Sequence, residues 1–232
     1  ARRCSANENE GLFRATIGGM GLTGVIVAAE IALRRIAGVG IRERVIRAAA
    51  LDDTLAAFET HAGADYAVAW IDCLARGPRL GRGLVMLGEH TEDDRPIPPR
   101  APRLTIPFNA PGGLLNRWTI RAFNALYAAR ISSAGVDRPT SLDAFFFPLD
   151  ALGGWNRLYG PRGFVQHQWV APPEAAAACA RAVLARCAAA GRGSFLAVLK
   201  TFGAENGNLL SFPRSGATLA LDFPVDRGLP DF

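Results

Sequence analysis

The sequence has almost no lysine: of its 26 basic residues, 25 are arginine and the single lysine is Lys200. A bias of this kind usually reflects genome composition, in which case Lys200 has no special meaning. Alternatively, Lys200 stands where a compact, titratable ammonium is needed and a planar guanidinium would not serve. Composition alone leaves both interpretations open.

Long hydrophobic runs are missing too. Hydrophobic residues make up 50% of the sequence, enough for a core. No stretch reaches the roughly 18 uninterrupted apolar residues that a membrane-spanning helix needs. The polar residues after the first four are not typical of a signal peptide. Because the first residue is not methionine and the last follows a strand-like segment, we expect the 232 residues to be a fragment.

Clustered charge and metal-binding patterns are absent from the sequence. The net charge is +5, but the basic residues are scattered among Asp and Glu without interleaved aromatics, so a nucleic-acid partner is not expected. An evenly solvated surface with mild attraction for anionic ligands or anionic lipid is favoured. His61, His90 and His167 are not spaced as metal ligands, and no metal is expected.

The four cysteines form no CxxC pair. Cys179 and Cys187 lie on one predicted helix, eight residues apart. That separation is about 12 Å along a helix axis, too far for a disulfide. Reduced structural cysteines are therefore expected, which fits a cytoplasmic compartment.

A pattern of strand, helix, strand and strand occurs twice in the chain. Its first copy has strands near residues 41–50, 65–74 and 83–89. The helix between the first two strands is predicted to start at Asp52 or Asp53, because both residues are good N-caps.

The second copy has strands at residues 163–171, 194–202 and 217–223. Its Ala-rich helix runs from Pro173 to Ala190, with proline in the first turn and Gly191 at the end. The repetition predicts an α+β fold: one antiparallel sheet, backed by helices on one face and built from two strand-helix-strand-strand units. The other face of the sheet would be free to cover a ligand.

The middle of the chain differs from both copies. Residues 94–112 are rich in proline and are predicted to form an extended loop. A helix at about 116–130 and the aromatic segment 145–150 follow. Loops of this length within a domain are usually functional lids or disordered tracts.

A glycine-rich turn at residues 18–24 follows a short helix predicted within 7–16 and precedes a β-branched run at 25–33, predicted to be a buried strand. The turn contains a formal G-x-G-x-x-G match. A Rossmann site needs a strand before this motif and a helix after it, whereas the order here is reversed, so that interpretation is rejected. The glycines could still let the backbone approach a flat ligand closely; a tight turn without a ligand is the alternative.

The chain resembles a known family along nearly its whole length. Residues 12–26 resemble the end of the flavin domain in vanillyl-alcohol-oxidase-type flavoproteins. Within that superfamily the chain is most similar to the decaprenylphosphoryl-β-D-ribose 2-oxidase family. The resemblance continues in order through residues 69–72, 78–82, 147–150, 155–161, 164–168, 194–203, 210–213 and 222–224.

The resemblance implies an FAD-dependent oxidoreductase that oxidises a secondary hydroxyl of a sugar, with hydride passing to the flavin. The implied substrate is a polyprenyl-phosphoryl pentose, in a 2′-epimerisation pathway that supplies cell-wall arabinan precursors. An aldonolactone or polyol oxidase on the same scaffold, and a flavin-free sugar-binding domain without catalysis, are the alternatives. An NAD-dependent reductase is an implied candidate partner. A lipid-linked substrate would bring the protein to the membrane surface, with contact expected first at residues 94–112.

The resemblance also implies domain limits. Residues 1–35 would be the last turn and strand of an FAD-binding domain, and 36–232 a substrate-binding domain that is incomplete at its C-terminus. The pyrophosphate-binding half of the flavin domain would precede Ala1. We therefore expect the isolated fragment to be inactive and to bind flavin only weakly.

Alternation along strands puts polar and aromatic side chains on a common face. Two amides on one face offer donors and acceptors to a hydroxylated ligand, although a solvated strand face is the alternative. The pattern predicts a polar-aromatic pocket on the open face of the sheet, with Leu219, Leu221 and Phe223 in the helix-backed core. The residues that share a face are Gln166 with Gln168, Lys200 with Phe202, and Trp70 with Asp72.

Individual roles are carried over from the family position by position. Lys200 would hold a phosphate or alkoxide and, with Tyr159, would be catalytic; loop packing is the alternative for Tyr159. Thr218 and Ala220 stand where mycobacterial members have Asn and Cys, so the pocket polarity differs and no thiol-reactive compound should be captured at Ala220. The implied flavin contacts are Gly18, Gly19, Met20, Gly21, Thr23, Gly24 and Ile26. The implied substrate contacts are Trp70, Tyr159, Gln166, Gln168, Lys200, Phe202 and Thr218.

Overall fold

Both predicted units are present in the computed structural model, which describes residues 1–92, 97–98, 104–226 and 228–229. The first consists of β1 (Gly40–Ala48), α2 (Leu51–Thr60), β2 (Tyr66–Ile71) and β3 (Gly83–His90). The second consists of β7 (Phe164–Ala171), α5 (Pro173–Ala190), β8 (Ala197–Phe202) and β9 (Gly216–Pro224). The other helices and strands are α1 (Glu10–Thr16), β4 (Leu104–Thr105), α3 (Arg117–Ala129), β5 (Val136–Ser141), α4 (Leu142–Phe146) and β6 (Leu152–Gly153), with 3-10 helices at Gly77–Arg79, Pro148–Ala151 and Trp155–Tyr159.

Seven strands form one antiparallel sheet in the order β5-β1-β3-β2-β8-β9-β7. The two units join where β2 pairs with β8, with Trp70 opposite Val198. This arrangement confirms the predicted fold class. Since β5 and β7 are the edges, the second unit places β8, β9 and β7 side by side at one end of the sheet.

The main core lies between the sheet and helices α2 and α5. Leu219, Leu221 and Phe223 of β9 are buried in it, as the alternation predicted. Fully burying a side chain of this kind contributes about 1.5–3 kcal/mol, so this layer supplies most of the packing that holds the sheet. Leu51 and Leu184 reach it from α2 and α5.

Helix α2 starts one residue before the two aspartates that were predicted as N-caps. Its first residue is Leu51, and the Asp53 carboxylate accepts from the backbone N–H groups of Ala49 and Ala50, each at 3.0 Å. The N-cap prediction is therefore wrong in position. Asp53 lies within the first turn and binds backbone N–H groups that precede the helix. Its negative charge there also interacts favourably with the positive end of the helix dipole.

The strand predicted at residues 25–33 is absent, because residues 24–36 pair with no described strand. Their side chains lie on the surface, and Val25 is 90% exposed. A β-branched composition favours a strand, but a strand also needs a neighbour to receive its backbone hydrogen bonds. The described chain supplies no such neighbour here.

Helix α3 covers part of the sheet face that was predicted to be open. The ring of Tyr127 lies 4.7 Å from that of Trp70, and Ala128 packs in the same small cluster. Asn124 donates from Nδ2 to Oδ1 of Asp72 at 2.8 Å. The face is consequently closed over β1, β3 and β2. It stays accessible over β8, β9 and β7.

The proline-rich segment 94–112 lies partly outside the described residues. Its described end includes β4, which pairs in parallel with β6. Whether this segment is a functional lid or a disordered tract, and its expected membrane contact, therefore stay predictions. Among the helices that the structure describes, none is long and apolar enough to span a bilayer.

Candidate functional site

Five residues form a row across β8, β9 and β7 on the face away from α2 and α5. Thr218 of β9 is opposite Lys200 of β8, and Asp222 is opposite Gln166 of β7. Gln168 lies two residues from Gln166 and shares its face. Because directly opposite residues of antiparallel strands also share a face, these residues, here called the polar row, lie on one surface. The structure thus brings together four of the predicted substrate contacts.

Thr218 fixes the orientation of Gln168. The buried Thr218 hydroxyl donates to the backbone oxygen of Trp169 at 2.7 Å and accepts from Nε2 of Gln168 at 3.1 Å. A hydroxyl has only one proton, so with that proton on the Trp169 oxygen, Thr218 is an acceptor towards the amide. The amide oxygen of Gln168 is left as an acceptor for a ligand.

Asp222 has the same effect on Gln166. Nε2 of Gln166 donates to Oδ1 of the buried Asp222 at 2.9 Å. Burial raises the pKa of the Asp222 carboxyl, and the hydrogen bond from Gln166 opposes that rise. An ionised carboxylate can only accept, so it selects the amide orientation that leaves Oε1 of Gln166 free. Both glutamines therefore offer acceptor oxygens.

We expect Asp222→Asn to become more stable relative to the wild type as pH rises. The pKa of Asp222 is raised in the folded state above the unfolded value of about 3.9. Between the two pKa values the folded protein holds more protons than the unfolded chain, so wild-type stability falls as pH rises through that window. Asparagine does not titrate. Denaturant unfolding from about pH 4 to about pH 8 measures the difference.

Asp226→Asn is the matched control. The hydrogen bond from Arg192 lowers the pKa of Asp226, so its contribution to stability is present above the unfolded pKa and lost as pH falls. The stability difference between variant and wild type should therefore change with pH in the opposite direction. A pH-independent difference for Asp222→Asn would contradict the assignment.

Lys200 stands at the β8 end of the polar row, and its side chain is exposed. Among the described residues, its ammonium makes no hydrogen bond or ion pair. Phe202, two residues on, packs edge-on against Phe212 with ring centroids 6.2 Å apart. An ammonium carries three donors and no acceptor. Lys200 thus complements the acceptor oxygens of the two glutamines.

The glycine turn approaches the loop that follows β8. The backbone N–H of Leu209 donates to the oxygen of Arg14 in α1 at 3.4 Å. A Cβ added at Gly18 would lie 3.4 Å from the Cα of Ser211. The turn and the Lys200–Thr218 end of the polar row therefore lie towards the same end of β8.

The backbone of this turn suits close approach by a flat ligand. Gly21 and Gly24 have φ of 76° and 126°, which side chains rarely adopt, yet an added Cβ would meet no atom within 4 Å. The backbone conformation therefore requires glycine here, and the space beside it is open. Of the other predicted flavin contacts, Met20 and Ile26 are exposed, and the Thr23 hydroxyl is 2.9 Å from that of Thr16.

Trp70 shares the face of the polar row but lies beneath α3. Its side chain is buried, and Nε1 donates to the backbone oxygen of Phe195 at 2.9 Å. Tyr127 covers the ring. In this structure Trp70 packs beneath α3 next to the polar row. Its predicted contact with the substrate stays a prediction.

Tyr159 is placed at the far end of the row from Lys200. Its buried ring packs 4.4 Å from Phe164, and among the described residues its hydroxyl has no hydrogen-bond partner. Burial, followed by the charge of Asp222, raises its pKa, so the phenol stays protonated. Asp222 and Thr218 are separated by about 13 Å along β9. The structure therefore does not bring Tyr159 to Lys200.

Two buried residues at the site were missed by the sequence interpretation. Asp222 lies on the face of Thr218, and the alternation along β9 was sufficient to identify it. Ser194 accepts at Oγ from the backbone N–H groups of Asp222 and Leu196, at 3.2 and 2.9 Å. No sequence signal pointed to Ser194, since its role depends on the contact between a loop and β9.

Metal and thiol chemistry find no support at the site. Within the described ranges, no group of three or more His, Cys, Asp or Glu residues is arranged to hold a metal ion. Cys73 and Cys187 lie in the core, and burial raises the pKa of both thiols, to about 11 for Cys187. Neither buried thiol is suited to act as a nucleophile.

Curated proteins to which the chain is similar include the following two. It is 34% identical over 238 residues to decaprenylphosphoryl-beta-D-ribose oxidase of Mycolicibacterium smegmatis, covering 98% of this chain and 51% of that protein. It is 32% identical over 229 residues to an uncharacterized protein in the mprA 5′ region of Streptomyces coelicolor, covering 92% of this chain and 62% of that protein. The chain thus spans about half the length of the first relative. No family model matches it.

Proposed function

We propose that this chain, whose similarity to decaprenylphosphoryl-β-D-ribose oxidase confirms the resemblance found in its sequence, is the substrate-binding part of an FAD-linked oxidoreductase. The reaction is oxidation of a secondary hydroxyl of a sugar, and the substrate class is a polyprenyl-phosphoryl pentose. The observation that carries the proposal is the polar row, in which two oriented amide oxygens and one ammonium share a face, with the Lys200 end towards the glycine turn.

The residues of the row would divide the recognition of the substrate. Gln166 and Gln168 are about 7 Å apart along β7, so each would accept from a different hydroxyl. Lys200 would hold a phosphate oxygen or the oxygen that becomes the carbonyl. In that second role its charge stabilises the negative charge that develops as the hydroxyl proton leaves.

The glycine turn fits the place of the flavin ring. The residues that would hold the ring are Gly18 to Gly24, together with the exposed Ile26, because the backbone at Gly21 and Gly24 is open to a flat ligand. FAD, when bound, supplies the acceptor for the hydride that leaves the carbinol carbon. The polar row would orient the sugar so that this carbon lies on the side of the turn.

We also propose the domain limits at residues 1–35 and 36–232. Residues 24–36 make no strand with the sheet, whereas β1 begins at Gly40 and belongs to it. The first segment would complete the cofactor domain, and the second would carry the polar row. Limited proteolysis that cleaves between residues 24 and 40 before any site within the sheet would support this boundary.

The test is anaerobic reduction of the protein encoded by the full reading frame. We expect bound flavin, seen by absorbance at about 450 nm, to be bleached by decaprenylphosphoryl ribose. Bleaching by an aldonolactone or a simple polyol, but not by the lipid-linked pentose, would overturn the substrate class. Absence of flavin together with tight sugar binding would overturn the oxidoreductase proposal in favour of a binding domain.

A further inference from the structure

Helix α3 has an apolar outer face that no described residue covers. Its inner face packs on the sheet through Ile120, Asn124 and Ala128. Each residue turns a helix by about 100°, which defines the opposite face. On that face Trp118 is 63% exposed and Leu126 is 74% exposed. The outer face consists of Trp118, Thr119, Ala122, Ala125, Leu126 and Ala129, among which Thr119 alone is polar.

Arginines flank this apolar strip on both sides. Arg121 lies along one side and Arg130 along the other, and Arg117, in the first turn of α3, reaches over the ring of Trp118. The segment 111–136 contains no Asp or Glu. The Arg117 guanidinium carbon is 4.4 Å from the centre of the Trp118 ring, and among the described residues none of the three arginines forms an ion pair. The strip is thus apolar in the middle and positive at its edges.

We propose that the outer face of α3 binds the surface of an anionic lipid bilayer. Interfacial helices bury an apolar face to a depth of about 5–10 Å while basic residues beside it meet anionic headgroups. Tryptophan is favoured at this level because its ring is apolar and its N–H is polar. A flat negative surface complements arginines on both flanks at once, which is why a bilayer is favoured over a second copy of a chain with net charge +5.

The bilayer contact would lie on the outer face of α3, and the inner face of the same helix packs on the sheet beside the polar row. Tyr127 and Phe123 on α3 contact Trp70 and Phe195 below. A lipid-linked sugar could then enter the row from the membrane surface, a consequence that rests on the proposed function. The lipid contact itself does not depend on turnover.

Vesicle co-sedimentation tests the contact. The protein is expected to bind vesicles of phosphatidylglycerol and phosphatidylcholine, and to bind phosphatidylcholine alone more weakly. Trp118→Gln with Leu126→Gln should weaken binding about tenfold or more, because two apolar anchors are lost. Arg117→Gln with Arg121→Gln should weaken binding to the anionic vesicles by about fivefold per arginine, and salt should reduce the difference.

Leu33→Gln with Arg79→Gln is the matched control, since both residues are exposed and Arg79 lies beside the start of α2, on the other face of the sheet. The control should bind as the wild type does, and near-UV circular dichroism verifies that each variant is folded. Absence of wild-type binding, an equal loss in the control, or full binding by the folded α3 variants would overturn the proposal. The proposal would also be overturned if the wild-type protein were a dimer and Trp118→Gln dissociated it. Vesicle binding without flavin reduction would instead count against the proposed function alone.

Discussion

Replacing Lys200 by methionine is expected to lower kcat of the proposed oxidoreductase by at least about a hundredfold. Removing one group that stabilises developing charge on an oxygen typically costs about 10²–10³ in kcat. Lys200 is the exposed cation of the polar row, and within the described structure no carboxylate neutralises it. Methionine keeps the length of the side chain without the charge. Steady-state turnover with the lipid-linked pentose measures the effect.

Two companion variants separate charge from packing. Lys200→Arg keeps the charge but replaces a compact ammonium by a planar fork, so we expect activity between that of the wild type and that of Lys200→Met. Thr201→Met changes the next residue, whose side chain points to the other face of β8 and is exposed, and it should leave kcat unchanged. Normal turnover by Lys200→Met would remove Lys200 from the mechanism.

The elements that the sequence predicted well are those whose signal is local. Proline in the first turn and a left-handed glycine at the end bounded α5, and the structure has the same limits, Pro173–Ala190 with Gly191 at φ 66°. The glutamines and Lys200 were grouped correctly because the period of two in a strand needs no knowledge of its neighbours. The pairing of β8 and β7 with β9 then places these residues on one face of the sheet.

The errors concern features that depend on distant contacts. β5 (Val136–Ser141) was missed because Asp137, Arg138 and Pro139 do not read as a strand. It is an edge strand that pairs only with β1, a position where proline and charge are tolerated. The prediction of a strand at 25–33 was wrong for the converse reason. The composition favoured a strand, but no described strand pairs with this segment.

The site shows the same division. Alternation placed Trp70 on the face of the polar row, but only the tertiary structure shows that α3 lies over it. Tyr159 was expected to enter the pocket from a loop, whereas its 3-10 helix turns the ring towards Phe164 and Phe195. The sequence therefore placed Trp70 on the correct face of the sheet, but it did not show that Tyr127 packs on Trp70 or that Phe164 and Phe195 pack on Tyr159.

Arg82→Met is expected to lower the free energy of unfolding by about 3–5 kcal/mol, because it leaves a buried carboxylate without its counter-charge. Arg82 contacts Oδ2 of Asp72 at 2.7 Å, and the Asp72 side chain is only 5% exposed. Asn124 of α3 donates to the other carboxylate oxygen at 2.8 Å. The same substitution should therefore loosen α3 over Trp70. Denaturant unfolding measures the loss of stability, and the near-UV circular dichroism signal to which Trp70 contributes measures the loosening of α3.

Arg181→Met is the matched control, because Arg181 pairs with Asp52 at the same 2.7 Å but the two side chains are 48% and 70% exposed. An exposed pair contributes less than about 1 kcal/mol, so this loss should be small. Adding Asp72→Leu to Arg82→Met should recover much of the stability, since the unpaired charge is then gone. Equal losses for Arg82→Met and Arg181→Met would show that Asp72 is not held as a buried ion by Arg82.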